Sequence, residues 1–118
     1  MGRLLVVDDD RYLLEGLERY LSRLGVVDAV AAAADALHLS SQHRYDVAVI
    51  DIHLGRDSGV DLIDRMLAAR PDAVGAVVFH TGNVPMPEPP LGVEVPHAVV
   101  SKGDLIGLRQ AVASYLER

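Results

Sequence analysis

Four apolar runs in this 118-residue chain end in residues that could do chemistry together. Residues 4–7 break into Asp8, Asp9 and Asp10, and residues 47–50 into Asp51. Residues 74–79 lead to Thr81, and residues 98–100 to Ser101 and Lys102. Carboxylates side by side repel one another, so three at one edge make sense if they hold a hard divalent cation. Mg²⁺ takes a few carboxylate or carbonyl oxygens and keeps open positions for phosphate oxygens, and its charge offsets the repulsion. Lys102 and Thr81 would then offer an ammonium and a hydroxyl to a phosphoryl group, the electrostatic stabilisation that phosphoryl transfer needs. A carboxylate can itself become an aspartyl phosphate. Asp51 is the best candidate, because it ends the central run "DVAVI" and opens the loop "DIHLGRDSG".

These residues converge only if the runs are strands of one sheet. There are five such runs, at 4–7, 26–30, 47–50, 74–79 and 98–100, rich in β-branched residues and several of them continuous. That pattern marks strands covered on both faces, as in a parallel sheet. Helical spacing lies between them. Leu13, Leu17, Leu21 and Leu24 form one stripe, with Gly25 placed to stop the helix. A second helix, carrying Ala33, Ala34, Ala36 and Leu37, is predicted to end near His43. A third runs from about Val60 to Arg70 before Pro71, and a fourth follows Asp104 as N-cap with Leu105, Leu108, Val112 and Leu116 inward. Alternating strands and helices imply a doubly wound α/β sandwich, whose ligand site lies beyond the carboxyl ends of the strands. The interval before the last strand breaks the rhythm. Five of the six prolines fall between Pro85 and Pro96, so a regular helix is not expected there.

Composition narrows the function classes. The length suits one domain over residues 1–118, burying roughly two thirds of its unfolded surface. Half the residues are hydrophobic, with few aromatics, and the net charge is −6 without a basic stripe to neutralise phosphates. Nucleic-acid binding is therefore not expected. The absence of cysteine excludes disulfides and thiolate metal sites, and no apolar run reaches membrane-spanning length. These features predict a soluble, cytoplasmic domain with no membrane association.

Taken together, "LLVVDDD", "DVAVIDIHLGRDSGVDLI", "VVFHTGN" and "VVSKGDL" resemble the receiver domain of bacterial two-component response regulators over essentially the whole chain. The intervals agree too: 42 residues from Asp9 to Asp51, 30 to Thr81 and 21 to Lys102. The resemblance implies a flavodoxin-like sheet of order 2-1-3-4-5 with helices on both faces. It implies that Asp51 accepts a phosphoryl group from a histidine kinase or a histidine phosphotransfer protein. Asp8, Asp9, Asp51 and the backbone carbonyl of His53 would bind Mg²⁺, or Mn²⁺ in its place, with Asp9 the more direct ligand. Thr81 and Lys102 would contact the phosphoryl oxygens, and His53 and Asn83 would tune the lifetime of the phosphorylated state. Asp10 would sit at the favourable end of the first helix dipole, outside the metal site. The domain would signal and not act as an enzyme beyond its own phosphorylation and dephosphorylation. It would regulate a downstream protein or a fused output domain, with a homodimer through the fifth strand and last helix as a further expectation.

The chain also departs from the family pattern. Val99 stands where receivers usually carry Tyr or Phe, so the aromatic rotamer switch is missing. Gly103 follows the lysine in place of proline, and a cis bond there would cost about 3 kcal/mol. The proline-rich interval replaces the usual fourth helix, and "FHTGN" partly resembles the "FATGY" signature of a subfamily with an irregular one. Readout is therefore expected through residues 82–96 and the surface of the last strand and helix. His53, His80 and His97 all fall near the site edge in this reading, but nothing like an "HExxH" spacing supports zinc. Two other classes share parts of this pattern. A small-molecule phosphotransferase would carry an early "DxD" pair and a cap, which are absent. A degenerate pseudo-receiver would bind partners without phosphorylation.

Overall fold

In the computed structural model, which describes residues 2–82 and 94–117, strands and helices alternate along the chain. Strands β1 (Gly2–Val7), β2 (Gly25–Val30), β3 (Tyr45–Ile50), β6 (Val74–Thr81) and β7 (His97–Ser101) form one sheet of order β2-β1-β3-β6-β7. All four pairings are parallel, as the β-branched runs imply. A separate hairpin, β4 (His53–Leu54) with β5 (Asp57–Ser58), occupies the loop after β3. The helices are α1 (Arg11–Leu21), α2 (Ala33–Gln42), α3 (Gly59–Ala69) and α4 (Leu105–Leu116). The interval expected to lack a regular helix lies almost wholly outside the described residues, as does Asn83.

Side chains alternate across the sheet and divide the core in two. On one face Leu5, Val7, Ile50, Val77 and Phe79 pack with Ala36, Leu62, Ile63 and Met66 from α2 and α3. On the other, Leu4, Val6, Val49 and Val78 pack with Leu14, Leu17 and Leu21 of α1 and Leu108 and Val112 of α4. The orphan amides at the helix starts are met by a side-chain acceptor in three of the four helices described. Asp10 caps α1 by accepting from the Tyr12 and Leu13 amides at 3.1 and 3.3 Å. Ser58 caps α3 through the Asp61 amide, and Asp104 caps α4 through the Gly107 amide, each filling an orphan donor.

The structure corrects several details. Gly25 does not end the first helix. α1 stops at Leu21 with Ser22 as C-cap, and Gly25 opens β2 opposite Gly2. Leu14, not Leu13, is the buried partner of Leu17 and Leu21, and Leu105 is 42% exposed at the start of α4. The far end of the sheet is tied by polar contacts. The Tyr45 hydroxyl donates to Asp28 at 2.7 Å, and the Arg3 amide donates to Asp46 at 2.8 Å. That amide is the main reason the Asp46 carboxyl lies below its usual range, with Arg44 adding to it against the effect of burial.

Candidate functional site

Parallel register sets the site. Val7 pairs with Ile50 and Ile50 with Phe79, so Asp8, Asp51 and His80 come next on their strands, in one row across β1, β3 and β6. Period-two alternation places that row on the face of Leu4, Val6, Val49 and Val78. His80 pairs with Val100 of β7, and Lys102 follows two residues later. Its side chain bridges back over β6: Nζ donates to Asp51 Oδ2 at 2.7 Å and lies 3.2 Å from Asp8 Oδ2.

Asp8 and Asp51 are buried, at 1% and 6% exposure, while Asp9 is exposed. One carboxylate oxygen of each acid reaches every other within 4.8 Å. Backbone amides hold the acids in place: Asp10 N–H on Asp8 Oδ1 at 2.9 Å, His53 N–H on Asp51 Oδ1 at 3.2 Å, and Gly55 N–H on Asp9 Oδ2 at 3.0 Å. Gly55 takes φ +61° to present that amide, a conformation that costs other residues. Gly59 lets α3 start against the Asp51 carbonyl, which a Cβ at that position would strike. The β4–β5 hairpin thus fixes the rim of the acidic cup.

The electrostatics favour a cation. Three formal carboxylate charges face one ammonium, leaving a deficit that a divalent ion matches. Asp8 Oδ2 is buried, and its one close polar neighbour among the described residues is Lys102 Nζ at 3.2 Å. A single ammonium shared between two buried carboxylates leaves their charge only partly offset, and an all-oxygen cluster is what Mg²⁺ or Mn²⁺ accepts. The residues therefore fit such an ion. Burial alone would push the Lys102 ammonium down, but hydrogen bonds to Asp51 and Asp8 and their charges outweigh it and raise its pKa.

The structure brings together most of the residues singled out from the sequence. Thr81 is fully buried at the end of β6, and its carbonyl accepts the Lys102 amide at 3.0 Å. Asp10 has turned away into its helix cap. His97 is a correction: it begins β7 opposite Val77, at the other end of the strand from Ser101. There its ring packs edge-on against Phe79 and its Nδ1 lies 3.1 Å from the Val95 carbonyl. Val99 packs partly buried against the α2–α3 core. Two participants were not singled out: Gly55, whose signal was a glycine in the loop after Asp51, and His80 as a buried neighbour of Asp51. The His80 imidazole is held below its ordinary pKa, first by burial and then by Lys102, against the opposing pull of Asp8 and Asp51.

This arrangement has relatives. The family model for the response regulator receiver domain matches residues 4–90, and the chain belongs to that family. A two-component response regulator PhoP from Pseudomonas aeruginosa is 47% identical over 65 residues, covering 54% of this chain and 29% of the relative. A CheY-like receiver domain from Methylobacillus flagellatus superposes with TM-score 0.82 at 26% identity, covering 98% of each chain. A response regulator from Burkholderia pseudomallei, solved with a phosphorylated aspartic acid, a calcium ion and citrate, gives TM-score 0.75 at 25% identity. It is covered over 71% of its length by 99% of this chain.

Residues 4–90 are accordingly matched as a receiver domain, the phospho-acceptor module of two-component signalling, and its three acids lie within reach of one another. The chain spans less than a third of the PhoP length. Among the described residues, no helix is long and apolar enough to cross a membrane.

Proposed function

We propose that residues 1–118 form one cytoplasmic receiver domain in which Asp51 is the phosphorylated residue. The observation that supports this most is the 2.7 Å contact of Lys102 Nζ with Asp51 Oδ2, inside a cluster of three acids. In the transfer, the N–P bond of a phosphohistidine breaks as a bond forms from an Asp51 oxygen to phosphorus, and the imidazole leaves. Asp8, Asp9, Asp51 and the His53 carbonyl would hold Mg²⁺ or Mn²⁺, which would supply positive charge to offset the acids and the incoming phosphoryl group. Lys102 and the Thr81 hydroxyl take the phosphoryl oxygens, the preorganised stabilisation such a transfer needs. His53, exposed beside Asp51, and Asn83 govern access of water and hence the lifetime. The Burkholderia relative, with its phosphorylated aspartic acid and calcium ion, supports this reading.

The phosphorylated state adds charge and acceptor oxygens at the strand ends, which biases the neighbouring loops between two arrangements. Without an aromatic at Val99, the change passes to a target protein, an output domain or a second copy through β7 and α4, where Leu105 and Ile106 are 42% and 71% exposed. Borohydride reduction of the phosphorylated protein, followed by peptide mapping, tests the acceptor. The modified residue is expected at Asp51; modification at Asp8 or Asp9 would overturn the assignment.

A further inference from the structure

A cleft of about 410 Å³ between α1 and α4 is lined by Gly16, Arg19, Tyr20, Arg23 and Arg109. It shares no residue with the acidic cup. Three exposed arginines lining one cleft stand out in a chain of net charge −6. Among the described residues none of the three makes an ion pair, although Glu15 and Glu18 are close in sequence. Residues 16, 19, 20 and 23 recur at helical spacing, so one face of α1 and its C-terminal turn supplies four of the five. The Tyr20 hydroxyl donates to the Leu105 carbonyl at 3.1 Å, which pins α1 to the first turn of α4 and fixes the cleft in advance.

Gly16 is the independent observation. It lies in the middle of α1 and is exposed, and a Cβ there would meet nothing within 4 Å. Glycine weakens a helix interior relative to alanine, and no neighbour in this fold demands its small size. The missing side chain leaves the wall of the cleft open at this point.

We infer that this cleft is a second anion site, taking a small free ligand with a phosphoryl or pyrophosphoryl group. Guanidinium forks match phosphate oxygens in bidentate fashion. A compact pyrophosphate offers the three arginines a charge density that a single carboxylate lacks. The volume falls in the range of small-molecule sites, and the tie from Tyr20 to Leu105 limits the ordering that binding requires. α1 leaves directly from Asp8 and Asp9 and α4 from Lys102, so an occupant would bridge the two helices rooted in the cup.

Amide NMR titration with inorganic pyrophosphate, in EDTA to keep divalent metal out, tests the site. The proposal expects saturable shifts at Gly16, Arg19, Tyr20, Arg23 and Arg109, with the amides of residues 8, 9 and 51 unmoved. In the Arg19→Gln/Arg109→Gln double variant the affinity should fall at least about tenfold. Gly16→Leu should abolish the shifts by filling the wall; should it fail to fold, the arginine double variant decides. Shifts that only follow ionic strength, as matched sodium chloride would show, overturn the site. So does unchanged binding in the arginine variant. Tighter binding of a polyglutamate peptide than of pyrophosphate overturns the phosphoryl assignment in favour of an acidic protein partner.

Discussion

Asp8, Asp9 and Asp10 are consecutive in the chain yet face different tasks. Asp8 is buried against Lys102, Asp9 reaches across to the Gly55 amide, and Asp10 caps α1. Their variants should therefore separate. Asp10→Ala should cost about 1 kcal/mol of stability through the lost cap and leave the rise in Tm on adding Mg²⁺ intact. Asp9→Ala should remove most of that rise, because a ligand that binds only the folded state stabilises it in proportion to its affinity. Thermal melts with and without Mg²⁺ check both, and equal loss in the two variants would contradict the assignment. His80 makes a pH prediction. It is 1% exposed, and neither ring nitrogen has a hydrogen-bond partner among the described residues. Its folded pKa lies below the ordinary 6.5, so above that pH the ring is neutral in both states. As pH falls below 6.5, the unfolded chain takes a proton that the folded one resists, and stability declines. His80→Leu should flatten this decline in urea melts between neutral and mildly acidic pH, and at pH 7 should be neutral or stabilising.

At the scale of elements, the apolar rows carry the fold. Phe79 of β6, fully buried in the cluster shared with α2 and α3, should cost about 3–5 kcal/mol when changed to Ala. Tyr12, 88% exposed on α1, should change stability by less than about 0.5 kcal/mol; urea denaturation distinguishes them. All five main strands were legible as apolar runs, and the acids, Thr81 and Lys102 were legible because each follows such a run. The strands extend further than the runs, through Tyr45 and Asp46, His80 and Thr81, and His97. The backbone ladder continues where side-chain hydrophobicity stops, since hydrogen bonding does not depend on it. For the same reason His97 was misplaced: a histidine beside a strand does not reveal which end it occupies. The β4–β5 hairpin was not legible, because two-residue strands leave no periodicity to read. Gly25 carried a helix-stop signal that the first pairing of β2 overrode. The burial of His80 was hidden because a single polar residue after "VVF" reads equally as a strand end or its continuation.

The whole molecule gathers three formal negative charges at one edge of the sheet, while its arginine cleft lies on α1 and α4. The acids, brought together from β1, β3 and their following loops, are near neighbours only when the parallel sheet is complete. Phosphate acceptance is therefore a property of the folded domain and not of any one motif. Among the described residues of the acidic cluster, Asp51 makes the shortest contact with Lys102, at 2.7 Å. The central claim is tested most directly by intact-mass measurement after acetyl phosphate treatment, comparing wild type with Asp51→Asn, each with and without Mg²⁺. The account predicts a single added phosphoryl group on the wild type in Mg²⁺, little without it, and none on Asp51→Asn. Equal labelling of the two proteins, or no labelling of a folded wild type in Mg²⁺, would contradict it.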